Sequence, residues 1–323
     1  MPSRVDAGVV ANLDRLVGLR HEARSLSFLP RQAKQSLLSG QRSSKLRGRG
    51  LDFEELRSYV AGDDVRSIDW RVTARTSQAF VRVYREERDR PVLLVVDQRP
   101  TMFFGSEARM KSVAAAELAA LVGWRTLAQG DRVGALIFGA DKTWALRPER
   151  SARSVHRICE ALVEASTLLV DPSSAPPRDA TEAIDAAARL AGHDSLVVII
   201  SDLRDLSDEA EEAFARIRLH NDLILVWVHD RLEQELPDVG PARVSDGYRE
   251  QSLFTNDANF RARFRAEFAS ERQRFQSFAR GPHSIGFELG ANDDVVDRLR
   301  QVLGHAPRAG DASGEGSPHG GSP

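Results

Sequence analysis

The sequence predicts an α/β protein built on a doubly wound, mostly parallel sheet, and three observations carry that expectation. Apolar runs end abruptly in acids: VLLVVD at Asp97, LVVIISD at Asp202 and LILVWVHD at Asp230. Solid runs of this kind suit strands buried on both faces, because a half-exposed strand alternates instead. Stretches with helical spacing separate the runs, so strand and helix alternate along the chain. The third observation is size: 323 residues, 41% of them hydrophobic and 28% charged, can bury a full core.

Residues 9–19 carry Val9, Val10, Leu13, Leu16 and Val17 at helical spacing and read as an amphipathic helix. Residues 29–50 are polar and basic, with Arg31, Lys34, Arg42, Lys45, Arg47 and Arg49 among serines and glycines, which predicts a loop or arm. Residues 79–85 place Val81 and Val83 on one face of a half-buried strand. After the run ending at Asp97, residues 133–138 give a fourth buried strand, one without a terminal acid. Helices are expected at 111–128, 155–165, 181–191 and 207–220, then a strand at 284–289 and a helix at 293–303. Past His305 the tail has too little apolar surface to order itself. The chain therefore divides into an N-terminal helix and basic arm (1–50), a distinctive segment (51–78), the α/β domain (79–304) and a tail (305–323).

A net charge of −2 removes the global positive field of a dedicated nucleic-acid binder. The arm at 42–49 could touch phosphates or anionic lipid, or stay solvated. The single cysteine, Cys159, cannot form an internal disulfide, and the opening residues lack a signal-type apolar core, so a cytoplasmic location is expected. No apolar string approaches the ~20 residues of a membrane span. Cys159 sits among Val155, Ile158, Leu162 and Val163 at helical spacing and reads as a small core residue. There is no Gly-x-Ser-x-Gly elbow, no phosphate-binding Gly-Lys-Ser/Thr loop and no His-Glu-x-x-His ligand spacing. An aspartyl phosphoryl-transfer enzyme with Asp97 as nucleophile stays open as an alternative, although Arg99 stands where a second acid is usual.

Ligands of open parallel sheets bind outside the carboxyl ends of the strands, where Asp97 and Asp202 are expected. Two carboxylates in one crevice need a cation, a proton or an arginine between them. Asp97-Gln98-Arg99-Pro100-Thr101 resembles the opening of the metal-ion-dependent adhesion site of von Willebrand factor A domains, with Thr101 at a hydroxyl position and Arg99 replacing a serine. Thr181 and Asp202 resemble that site's later threonine and aspartate. The intact site binds Mg²⁺ through hydroxyl and carboxylate oxygens. With a permanently charged guanidinium at Arg99, the expectation is an arginine-filled site and no cofactor, with Mg²⁺ as the alternative. The plainer reading has these acids capping loops or helix starts.

Residues 48–75, GRGLDFEELRSYVAGDDVRSIDWRVTAR, resemble the signature of the bacterial DUF fifty-eight family. The matching positions are Gly48 and Gly50, Phe53 and Glu54, Arg57 and Tyr59, the stretch 62–70, and Ala74 with Arg75; residues 111–139 extend the likeness. The resemblance implies a von Willebrand factor A-like domain with an N-terminal segment packed on it. It also implies a non-enzymatic adaptor that partners a MoxR-type AAA+ ATPase in the maturation or assembly of client proteins. A Mg²⁺-dependent adhesion-type ligand binder is the alternative. Gly62-Asp63-Asp64 reads as a turn or helix start. If the chain then runs extended, Ile68 and Trp70 point one way and Asp69 and Arg71 the other. Asp63, Asp64, Arg66, Asp69, Trp70 and Arg75 form either a local ion-pair network or a partner surface.

Overall fold

A computed structural model describes residues 8–26, 51–60, 63–76, 78–86, 90–171, 179–207, 209–245, 250–281 and 283–302. Gly48, Gly50, Gly62, the basic arm and the expected tail lie outside the described residues. Helix α1 (Leu13–Ser25) starts where the Asn12 side chain accepts from the Arg15 amide at 3.0 Å. Strands β1 (Leu51–Ser58) and β2 (Phe80–Glu86) pair antiparallel as a separate two-stranded sheet. The strand expected at 79–85 thus forms, but outside the main sheet. Between the two strands lie a single 3₁₀ turn, Val65–Ser67, and helix α2 (Trp70–Thr76).

The extended run expected beyond Ile68 is corrected here, because Trp70 opens a helix. Asp69 Oδ1 accepts from the amides of Arg71 at 3.0 Å and Val72 at 3.2 Å, satisfying donors that a helix start leaves without partners. The capping aspartate outweighs the β preference of the Ile-Asp-Trp text.

The main sheet begins with β3 (Val92–Gln98), followed by α3 (Lys111–Ala128), β4 (Val133–Gly139), β5 (Thr143–Glu149), α4 (Ala152–Leu168) and α5 (Ala180–Leu190). Then come β6 (Leu196–Ser201), α6 (Ala210–His220), β7 (Asp222–His229) and the short α7 (Arg231–Gln234). A hairpin of β8 (Pro241–Ser245) and β9 (Glu250–Phe254), the long α8 (Ala258–Phe278), β10 (Ser284–Gly290) and α9 (Val295–Val302) complete the described chain.

The six strands lie in the order β10-β7-β6-β3-β4-β5, parallel throughout except for the antiparallel edge β5. Alternate residues of each strand face opposite layers. Val92, Leu94 and Val96 pack with α1, α3, α4 and α9, and Leu93 and Val95 pack with α5, α6 and α8. Each fully buried aliphatic side chain contributes about 1.5–3 kcal/mol, so a strand sealed on both faces is strongly held. Helix α3 is buried on nearly every side because α1 covers its outer face, where Trp124 Nε1 donates to the Leu16 carbonyl at 3.0 Å. Cys159 is wholly buried in α4, and burial pushes its thiol up to about 12, in keeping with a core role. Among the described residues no helix is long and apolar enough to cross a membrane.

Two features place the carboxyl edge. From β3 the chain winds to β4 and β5 on one side and returns to β6 on the other, so the strand order reverses between β3 and β6. The loop from β3 into α3 is clasped to the entry of α9. Asn292 Oδ1 accepts from the amides of Ala108 and Arg109, each at 3.1 Å. Arg109 Nε donates to the Ala291 carbonyl at 2.9 Å, and the same guanidinium reaches the Asp293 carbonyl and Glu117.

Candidate functional site

Asp97 at the end of β3 and Asp202 just past β6 meet at the switch point, as an open parallel sheet requires. Between them lies Arg99, fully buried. Its Nη2 is 2.9 Å and its Nε 3.1 and 3.2 Å from the Asp97 carboxylate, and its own amide donates to Asp97 Oδ1 at 2.9 Å. The Ser201 hydroxyl donates to Asp97 Oδ2 at 2.7 Å. The remaining reach of the guanidinium goes to the Arg204 carbonyl at 3.1 Å and to Asp202 Oδ1 at 3.7 Å.

Asp202 takes its main partner from a residue that the sequence reading missed. Lys111, the first residue of α3, is fully buried; its Nζ lies 3.0 Å from Asp202 Oδ2 and 2.7 Å from Glu233 Oε1. Arg204 adds a guanidinium 3.4 Å from the same Glu233 oxygen. A cation at a helix N-terminus opposes the macrodipole, so a lysine opening an Ala/Leu-rich helix was the available signal. Glu233 in turn accepts from the Asp230 amide at 2.8 Å, while Asp230 Oδ1 accepts from the Leu232 amide at 2.9 Å, forming a capping box. The third strand-end acid, Asp230, is therefore a helix cap.

Three carboxylates (Asp97, Asp202, Glu233) are matched by three cations (Arg99, Lys111, Arg204). Burial alone lowers the pKa of Arg99, but the charges of Asp97 and Asp202 and the hydrogen bonds to Asp97 reverse this and leave it raised. Lys111 follows the same pattern, with burial overcome by Asp202 and Glu233. Burial pushes Asp202 up, and Lys111 and Arg99 pull it below the usual carboxylate range. All three stay charged at neutral pH.

These residues do not fit a divalent cation. Asp97 Oδ1 already accepts from the Arg99 amide and guanidinium, Oδ2 from that guanidinium and the Ser201 hydroxyl, and two buried cations flank Asp202. Thr181 accepts from the Ser207 amide at 3.0 Å and pairs with its hydroxyl at 3.1 Å, so it is held by the β6–α6 loop. The Thr101 hydroxyl is buried without a hydrogen bond to any described residue. Among the described residues no three His, Cys, Asp or Glu side chains converge to hold a metal.

The second set of candidates lies apart, on the β1–β2 unit. Asp63 makes a two-pronged pair with Arg57, at 2.7 Å on each oxygen, and accepts from the Val60 amide at 2.9 Å. These contacts, the Arg57 bonds foremost, lower its pKa to about 2. Asp64 caps the 3₁₀ turn through the Arg66 amide at 2.9 Å, and Asp69 caps α2. The acids thus shape the backbone. Arg66, Arg71 and Arg75 are exposed, and Trp70 is 66% exposed.

A family model described as "Protein of unknown function DUF58" matches residues 55–274. Uncharacterized proteins of Mycobacterium tuberculosis, strains CDC 1551 and H37Rv, and of Mycobacterium bovis are each 31% identical over 224 residues, 69% of this chain and 69% of theirs. A crystal structure of the conserved hypothetical protein BatB from Bacteroides thetaiotaomicron is similar over 66% of this chain and 97% of that one, at 16% identity and a TM-score of 0.41. A structure of an aerotolerance-related membrane protein from Bacteroides fragilis is similar over 66% and 96%, at 16% identity and a TM-score of 0.35.

Proposed function

The chain belongs to the DUF58 family, and from that premise we propose that it is a cytoplasmic, non-enzymatic interaction adaptor on a von Willebrand factor A-like domain. The partner in this reading is a MoxR-type AAA+ ATPase, and the task is maturation or assembly of a client protein. The observation that supports it most is the division of labour in the signature segment. Asp63, Asp64 and Asp69 are spent on caps and one ion pair, while Trp70, Val65, Val60 and Tyr59 stand exposed within one short stretch. Tryptophan beside exposed arginines in the sequence is the composition of binding hot spots.

The von Willebrand factor A-like assignment draws support from Asp97, Thr101 and Asp202 at the switch point of a mostly parallel sheet with one antiparallel edge. Closure of that crevice by Arg99 and Lys111 weighs against the two alternatives. A Mg²⁺-dependent ligand site needs free donor oxygens, and an aspartyl nucleophile needs a carboxylate that substrate can reach; Asp97 is fully buried and paired.

The test is capture of a purified MoxR-type ATPase by the tagged chain, with and without ATP and Mg²⁺, alongside its ATPase rate. Nucleotide-dependent capture that drops about tenfold or more in Trp70→Ala supports the adaptor. Absence of capture under both conditions, with no change in ATPase rate, sinks it.

A further inference from the structure

We propose that the amino end of the sheet, opposite the closed crevice, binds a small amphipathic carboxylic acid: an apolar body carrying one carboxylate. A cavity of about 940 Å³ opens there, at the starts of β3, β4, β6 and β7. Ligand pockets commonly span about 300–1,000 Å³.

The sequence explains why the space exists. On the face covered by α5, β4 presents Leu136 and Phe138 to the core, while at Gly134 the bulged β5 backbone closes in so tightly that an added Cβ would lie 2.5 Å from the Leu146 carbonyl oxygen, and the cavity opens beside this contact, against Leu93, Ala135 and Ala145. On the neighbouring edge strand, Trp144 and Leu146 turn to the opposite core, which leaves Ala145 and Arg147 on this side. Helix α5 stops at Leu190, and Leu190 and Ala191 line the cavity together with Leu93 and Ala145. Small residues in the floor and an early helix end thus leave a concave apolar surface that nothing among the described residues fills.

The charge around it is asymmetric. Three arginines, Arg90, Arg132 and Arg147, line the cavity against two aspartates, Asp194 and Asp222. Asp222 is engaged from two directions, by the Arg90 guanidinium and by His283 Nδ1 at 3.0 Å. Arg147 is exposed at the mouth and makes no ion pair with a described residue. Its planar fork suits a carboxylate, which it can grip through two parallel hydrogen bonds. His193 and His220, which closes α6, also line the cavity, their tilted rings in contact with centroids 4.3 Å apart. A carboxylate at the Arg147 rim with its tail against Leu190 satisfies both halves of the site.

Calorimetric titration of the full chain with octanoate tests this, with octanol and acetate supplying the tail and the charge separately. The expected result is saturable one-site binding of octanoate, with octanol and acetate each at least tenfold weaker. Arg147→Glu is expected to weaken octanoate at least tenfold and Arg147→Lys much less, while Ala145→Trp fills the space and abolishes binding. Both positions are exposed, and unchanged circular dichroism and melting curves establish that the variants fold. Non-saturable octanoate heats, octanol binding as tightly as octanoate, or octanoate binding untouched by both Arg147→Glu and Ala145→Trp would overturn the proposal.

Discussion

Two aspartate–arginine pairs in this protein use the same chemistry in opposite surroundings. Asp97–Arg99, at 2.9 Å, is sealed from water, and Asp63–Arg57, at 2.7 Å, sits on the surface of the β1–β2 unit. Distance does not separate them; solvent does. In water an ion pair gains little beyond what hydration already supplied, and salt screens it. In the interior each charge has surrendered its hydration, so each depends on the other. The buried pair is therefore part of the architecture of the switch point, and the exposed one holds the turn from Val60 to Asp63.

The most severe way to break the comparison is Arg99→Met, which strands the Asp97 carboxylate in the core. Its expected cost is about 3–5 kcal/mol in urea denaturation. The double change Asp97→Leu with Arg99→Met is expected to recover most of that loss, because two apolar groups need no compensation. A double variant no more stable than the single one would show that packing, not charge, carries the effect.

Lys111→Met sharpens the same point through pH. The folded pKa of Asp202 is depressed, so its contribution is fully present above the unfolded value of about 3.9 and is lost as pH falls through the folded value. Without Lys111 the burial of Asp202 dominates, and the charged form becomes a burden that protonation relieves. The stability gap between wild type and variant is expected to be wide near neutrality and to narrow as pH falls, first through the raised value of Asp202 in the variant and then, below about 3.9, through its depressed value in the wild type. A gap that is constant with pH would exclude the electrostatic account.

Cys159 supplies a smaller readout. Its buried thiol, held near about 12, is expected to resist alkylation in the native protein and to react measurably faster in Arg99→Met, where the core opens more often. Equal alkylation rates in the two proteins would place the pair outside the cooperative core. The smallest effect belongs to Asp63→Asn, expected to leave the denaturation midpoint unchanged within error at high salt, since the surface pair is screened.

Much of the fold could be read from the chain, for physical reasons. The runs ending at Asp97, Asp202 and Asp230 became β3, β6 and β7, because strands buried on both faces leave a continuous apolar record. Edge strand β5 went unread, since TWALRPE has no fully buried residue to leave an apolar run and contains Pro148. Helix α8 also went unread. Its charged text hides Phe268, Phe275 and Phe278, whose spacing seals the lower layer. In the site, Arg99 could be paired with Asp97 across a single intervening residue, whereas Lys111 could not be paired with Asp202, because only the fold brings positions 91 residues apart together. For Trp70 the sequence supported only a conditional extended reading, because the competing signal, the capping side chain of Asp69, depends on backbone geometry that composition does not reveal.

The clasp at Arg109 has a consequence for the growing polypeptide. Strand β3 and helix α3 leave the ribosome some 180 residues before Ala291 and Asn292, the groups that bind the loop between them. Synthesis runs at about 5–20 residues per second, so for roughly ten seconds or more the amides of Ala108 and Arg109 have only water as partners. A nascent chain can close the local Asp97–Arg99 pair at once, but it can lock the loop only when β10 and α9 arrive. Premature termination before Ala291 would release a product whose central strands are present and whose carboxyl edge is never fastened.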